Sequence, residues 1–249
     1  MNARLMQPTR EPQLMQPVFR RLASLAVLSP DEEQLVQRLA QRSEDHSPNT
    51  FLVSEGEAVR PRFVVSGWAC RQRMLPDGRR QIFSLVLPGD AIGVGAQPRP
   101  LASASTVALT RLVTVDASGL VETLERGGGT VPNLATAVRL QGGLDEALLL
   151  DHVVRLGRQT AYERVAHLLL ELQARLFTIG LADGVNFPLP LTQESLADVL
   201  GLSIVHVNRT LQQLRREKMI KLAGFKVTLL EPQLLATIAD YRLPQLRGE

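Results

Sequence analysis

Residues 192–216 read TQESLADVLGLSIVHVNRTLQQLRR, and no other stretch restricts the fold as tightly, because several local requirements fall into register within it. Thr192 is placed to cap a short helix whose Leu196 and Leu200 face inward, and Ala197 is small enough for a second helix to cross closely. Gly201 permits a tight turn. Ser203 caps the next helix, whose Ile204, Val207, Leu211 and Leu214 repeat at 3-4-3 spacing as an inward stripe. The pattern predicts a helix-turn-helix.

The outward face of the second helix then carries Val205, His206, Arg209, Gln212, Gln213 and Arg216, with Asn208 on its flank. Between residues 203 and 226 six basic side chains (Arg209, Arg215, Arg216, Lys218, Lys221 and Lys226) meet one acid, Glu217. The whole chain of 249 residues carries only +3, so its positive excess is concentrated here. A solvated helix face has a similar composition, but this one lies on the exposed side of a helix-turn-helix. Helix N-termini and cations bind phosphates there.

Base reading is expected near the start of the second helix. The Arg209 fork suits O6 and N7 of guanine, Asn208 or a glutamine suits adenine, His206 donates or accepts, and Val205 suits a thymine methyl. Thr192, Gln193, Arg215 and Arg216 are expected at phosphates, and Ser203 and Lys226 complete the candidate DNA surface. Met219 to Leu229, turning at Ala223-Gly224, reads as a two-stranded wing, and a last helix is expected from Pro232 to Tyr241.

The rest of the chain has a different period. The first 17 residues, with three prolines and no apolar repeat, read as a loose arm, and Ser29-Pro30-Asp31-Glu32 reads as a capping box opening the second of two short helices. Six strand-like runs follow between Thr50 and Asp116, separated by turn formers that include Asp77-Gly78, so an antiparallel barrel or sandwich is predicted. Helical periodicity dominates from Pro132. Residues 144–156, LDEALLLDHVVRL, are apolar on more than one side; a buried core helix has this pattern, and so does a helix shared with a second subunit through Leu140, Leu144, Ala147, Leu148, Leu150 and Val154. Gly142-Gly143 is expected to loosen or kink it. Thr160 and Glu163 form another capping box, which places a hinge near residue 158.

Other chemistries find little support. Cys70 is the only cysteine, so thiolate clusters and internal disulfides are excluded, and on a strand it reads as a small buried hydrophobe. His46, His152, His167 and His206 all lie outside residues 50–116, which argues against a metal-dependent enzyme built on the strands; no metal, cofactor or catalytic residue is expected. No uncharged apolar run approaches the roughly 18 residues of a spanning helix, so a cytoplasmic protein with no membrane partner is expected.

The progression Val64, Gly67, Asp77-Gly78, Pro88-Gly89-Asp90 and Gly93, followed by a long helix and the stretch from Thr192 to Glu217, resembles the Crp/Fnr superfamily of bacterial transcription regulators. The resemblance implies an α+β chain. An antiparallel jelly roll of the cyclic-nucleotide-binding type spans residues 18–130, a dimerisation helix 131–157, and a winged helix-turn-helix 158–249. It implies a homodimer on palindromic double-stranded DNA, with RNA polymerase as a further candidate partner, and it gives the Arg209 position a guanine-reading role. Members that bind cyclic AMP hold its phosphate with a Gly-Glu pair and an arginine. Here Val94 follows Gly93 and Pro100-Leu101 stands near the arginine's place, with Arg99 beside it, so an effector pocket at Gly93, Val94 and Arg99 is expected not to serve cyclic AMP. The lone cysteine excludes the iron–sulfur branch. Two alternatives stay open: a regulator that depends on a cyclic nucleotide, and a ligand- or protein-binding module whose winged helix mediates assembly without DNA.

Overall fold

A computed structural model describes residues 11–95, 101–126 and 128–243. Three short helices, α1 (Glu11–Leu14), α2 (Gln16–Ala23) and α3 (Pro30–Arg38), precede the strands β1 (Ser43–His46), β2 (Phe51–Val53), β3 (Arg62–Ser66), β4 (Ala69–Met74), β5 (Arg80–Val86), β6 (Ala91–Ile92), β7 (Ser105–Ala108) and β8 (Leu112–Asp116). These form two antiparallel sheets, β1-β8-β3-β6 and β2-β7-β4-β5. Helix α4 (Ser118–Glu125) leads to the long α5 (Pro132–Arg158), and then come α6 (Ala161–Thr178), β9 (Asn186–Pro188), α7 (Gln193–Leu200), α8 (Ile204–Arg216), β10 (Ile220–Ala223), β11 (Lys226–Leu229) and α9 (Pro232–Ala239).

Three apolar layers hold this together. Between the sheets lie Val53, Val64, Ala69, Val86, Ile92, Ala108 and Leu112. The outer face of the first sheet, at Phe63, Val65, Ala91 and Val115, is covered by α2, by α4 and by the start of α5. The outer face of the second, at Cys70, Ile82, Leu85 and Val107, shares a core with α6, α7 and α8. Both sheets are therefore buried on two sides, which is why β3 buries Arg62, Phe63, Val64 and Val65 in succession instead of alternating. Cys70 is a buried hydrophobe as expected, and burial pushes its thiol up to about 12, so little reactive thiolate exists at neutral pH.

Several expectations need correction. The loose arm does not extend to residue 17: from Glu11 the chain is helical, and Met15 and Val18 are fully buried among Leu22, Phe63 and Leu134, so apolar contacts outweigh the prolines. Gly142-Gly143 does not interrupt α5, which runs unbroken because Leu134, Ala137, Val138 and Leu144 are buried around the pair and offset about 1 kcal/mol per glycine. The turn at Asp77-Gly78 does join β4 to β5, with Gly78 left-handed (φ +84°) and the Leu75 N–H donating to the Arg79 carbonyl. The last helix stops at Ala239, because Asp240 adopts φ +44°.

Glu32 does more than close its capping box. One oxygen accepts from the Ser29 N–H (2.8 Å), and the other from the N–H groups of Asn133 and Leu134 (2.9 Å each), so Glu32 also caps α5, whose own N-cap Val131 has no side-chain acceptor. Burial works against its charge, yet these donors and Ser29 hold the carboxyl below its ordinary value.

A buried charge cluster joins the strands, α5 and α6. Arg175 on α6 donates to Asp90 of the Pro88-Gly89-Asp90 turn (2.5 Å) and to Glu171 (3.1 Å); Arg155 on α5 donates to the other Glu171 oxygen (2.9 Å) and to Nδ1 of His152 (2.9 Å). Burial, then the charge of Arg155, lowers His152 to about 4, so it is neutral at pH 7. The chain reaches this junction only because Gly89 (φ +88°) has no Cβ, which would stand 2.8 Å from the Pro17 carbonyl oxygen.

Candidate nucleic-acid interface

The helix-turn-helix forms by the local rules that its sequence suggested. The Thr192 hydroxyl accepts from the Ser195 N–H (3.0 Å), Gly201 ends α7 at φ +61°, and the Ser203 hydroxyl accepts from the His206 N–H (3.2 Å) at the start of α8. Val207, Thr210, Leu211 and Leu214 are the buried side of α8. Ile204 is not: it is 45% exposed and lines an open crevice towards the roll.

The opposite face is open to solvent. Val205 is 67% exposed, and His206, Arg209, Gln212, Gln213, Arg215 and Arg216 are all exposed. Among the described residues Arg209, Arg215, Lys218, Lys221 and Lys226 are exposed and enter no ion pair within 4 Å, and Arg216 acts on Glu217 only at longer range, so the face stays open to an external anion. Thr192 and Ser203 mark the two helix N-termini, where backbone N–H groups add to the attraction.

Several polar side chains of this face are already engaged, and His206 Nδ1 lies 3.1 Å from the Ser203 hydroxyl. The Asn208 amide donates to Gln193 Oε1 across the two helices (2.8 Å), which leaves Asn208 only half-exposed and turns the Gln193 amide nitrogen outward. Gln213 donates to Glu217 (2.9 Å), and the Tyr162 hydroxyl donates to the other Glu217 oxygen (2.6 Å). This bond from Tyr162 is the main reason that the Glu217 carboxyl lies below its usual range. Sequence reasoning missed Tyr162, whose partner lies 55 residues away with no local pattern joining the two. The wing is a three-stranded sheet in the order β10-β11-β9, with Gly224 at φ +60° in its turn and Phe225 and Lys226 exposed beside it.

The residues expected to face a second subunit divide into two groups. Leu144 is buried in its own chain and Leu140, Ala147 and Leu148 are half-buried, whereas Leu150 and Val154 are 61% and 54% exposed. Leu149 and Val153, absent from the sequence-based set, are 46% and 59% exposed and extend the same uncovered face. A helical wheel alone did not find them, because it does not show which face the β-roll covers.

Of the expected effector pocket, Gly93 lines a cavity of about 210 Å³ with Val53, Val59, Arg71, Ile92, Ser103 and Thr106. Val94 lines a different hollow, beside Val121, Leu124 and Val138. Arg99 lies outside the described residues. Arg71 is the basic side chain at the first cavity; the alternation of β4 signals it, since Ala69 faces the roll interior two residues earlier. It donates to the Ala91 carbonyl (3.1 Å) and pairs with Asp145 on α5 (3.5 Å).

A β-roll, a long helix and a winged helix-turn-helix with an unneutralised cationic face together define a DNA-binding transcription regulator, and no helix among the described residues is long and apolar enough to cross a membrane. Residues 163–238 match the model of the Crp-like helix-turn-helix domain. The chain is 31% identical, over 88% of its own length and 90% of the relative's, to the transcriptional activatory protein AadR of Rhodopseudomonas palustris. It is 30% identical to the nitrogen fixation regulation protein FixK of Bradyrhizobium diazoefficiens, over 82% and 84% of the two chains. Among solved structures, FixK2 from Bradyrhizobium japonicum superposes with a TM-score of 0.69 at 27% identity, covering 81% of this chain and 98% of that one. The chain belongs to the Crp/Fnr family of transcription regulators, and its relatives are regulators rather than enzymes.

Proposed function

We propose that this regulator acts in the cytoplasm as a homodimer on palindromic promoter DNA, with Arg209 reading a guanine in each half-site. The exposed, unpaired guanidinium of Arg209 on α8 carries this reading. Arg215, Arg216 and Lys226, with Thr192, Gln193 and Ser203 at the helix N-termini, hold phosphates and set the register. Val205, His206 and Gln212 face the bases. Asn208 and Gln213 are tied within the protein, so each offers its remaining amide oxygen. The units of function are the roll at residues 18–130, the pairing helix at 131–157 and the DNA-binding domain at 158–249. RNA polymerase is the further protein partner in this reading, which the name of one relative, an activatory protein, supports.

Regulation does not use cyclic AMP. The cavity at Gly93 is about 210 Å³, smaller than the roughly 300 Å³ at which ligand pockets begin, and Arg71 is already committed to Ala91 and Asp145.

One titration tests these statements together. On its preferred palindrome, Arg209→Ala should cost about 1 to 3 kcal/mol per half-site and abolish the preference at one base pair. Arg216→Ala should weaken all sequences alike and reduce the salt dependence by about one counterion per subunit. Cyclic AMP and cyclic GMP should leave every curve unchanged. Equal weakening on all sequences by Arg209→Ala would reduce that side chain to a phosphate contact, and a shift with either nucleotide would reinstate the cavity as its site.

A further inference from the structure

The first helix of the helix-turn-helix packs on the β-roll through apolar side chains and is bonded to it through one residue, Asp198. Asp198 on α7 accepts from Arg80 Nε at 2.6 Å through its carboxylate and from the Gln81 side-chain amide at 3.1 Å through its main-chain carbonyl. Two successive residues of β5 thus hold the side chain and the backbone of one helical residue. Arg80 has little freedom, because it pairs with Met74 in the β4–β5 ladder directly after the turn at Gly78. The ion pair is about four-fifths shielded, with side-chain exposures of 22% and 20%, so salt screens it less than an open surface pair.

The surroundings place this contact at the edge of the joint. On one side Ile82 and Val107 of the sheet share a core with Ala197 and Val199 of α7. On the other the roll and the helix-turn-helix separate into a crevice of about 850 Å³, lined by Phe51, Met74 and Arg79 from the roll and by Glu194, Ser203 and Ile204 from the DNA-binding side. The shared core holds α7 against the sheet on one side, and on the crevice side the Asp198 contacts add directional bonds that resist a tilt of α7 and α8 about that core. An acid in this part of a DNA-binding domain repels phosphates, and its bond to Arg80 accounts for its presence.

We propose that Arg80 and Asp198 are positioning residues that fix the tilt of the recognition helix on the β-roll and so set the half-site spacing that the dimer accepts. The inference rests on the dimeric reading given above. If α5 pairs the two rolls, the separation of the two recognition helices follows from how each is held on its own roll, and it has to match about 34 Å, one turn of DNA, or a multiple of it.

The test uses the full chain, wild type and as Arg80→Ala, Asp198→Asn and the charge-swapped pair Arg80→Asp with Asp198→Arg. Each is titrated against the preferred palindrome, against the same half-sites with one or two base pairs added to or removed from the spacer, and against a single half-site. The wild type should favour one spacing. Each single variant should lose about tenfold there, as expected for a charge-assisted hydrogen bond, bind neighbouring spacings almost equally well, and bind the single half-site as the wild type does. The swapped pair should regain spacing selectivity. Unchanged selectivity in Asp198→Asn, which preserves side-chain size, would overturn the proposal. So would equal weakening on the half-site and on every spacing, since Asp198 would then act inside the helix-turn-helix. A wild type with no preferred spacing would instead remove the dimeric reading, and the proposal with it.

Discussion

Replacing Leu149 and Val153 together by glutamate should leave a folded monomer that binds the palindrome about 100-fold or more weakly than the wild type. Both side chains are about half exposed on α5 and lie outside the buried core, so the change leaves that core intact. What it removes is the apolar face that, with Leu150 and Val154, would meet its copy across a two-fold axis, and it sets four carboxylates against one another there. Two linked half-site contacts exceed one by about 10² to 10⁴ in affinity through effective concentration alone, and that gain disappears with the dimer. Sedimentation equilibrium and DNA titration on the same sample check the prediction. A variant that remains dimeric would place the subunit interface elsewhere.

Arg175→Ala should destabilise the fold by about 3 to 5 kcal/mol, a large part of the roughly 5 to 15 kcal/mol of a typical domain. The side chains of Arg175, Asp90 and Glu171 are 11%, 9% and 7% exposed. Removing the guanidinium would leave Asp90 with the Leu87 N–H at 2.7 Å and Arg21 at 4.0 Å, and Glu171 with Arg155 at 2.9 Å. The cost comes from the buried carboxylates left behind, not from a strong net attraction in the intact cluster. Because the cluster joins the roll, α5 and α6, the loss should also broaden urea unfolding or split it into two transitions, one for the roll and one for the helices that follow α5. A single sharp transition displaced by less than about 1 kcal/mol would mean that water reaches these carboxylates.

The features that the sequence made legible are those whose causes lie within a few residues. The caps at Ser29, Thr160, Thr192 and Ser203 each satisfy an N–H three positions on, and the left-handed Gly201 follows directly from its place between two caps. Strand β1 was not legible. Its residues Ser43-Glu44-Asp45-His46 carry no apolar alternation, and it exists because β8, about 70 positions later, supplies hydrogen-bonding partners at the sheet edge. Glu32 capping α5, Arg175 reaching Asp90 and Arg80 reaching Asp198 span 85 or more residues, so nothing local announces them. The recognition face was readable because helix periodicity fixes it. Which of its amides are already bound within the protein was not, since Asn208 and Gln213 depend on Gln193 and on the pair formed by Glu217 and Tyr162. Ile204 shows the limit of periodicity itself: the spacing fits an inward residue, but at the first turn of α8 it lines the crevice and stays 45% exposed.

The most direct measurement is selection of bound sites from random double-stranded DNA by the full-length protein. A two-fold symmetric consensus is expected, with one dominant spacing and a guanine in each half-site whose enrichment disappears when Arg209 is replaced by alanine. An unenriched pool, or a consensus without symmetry, would contradict it.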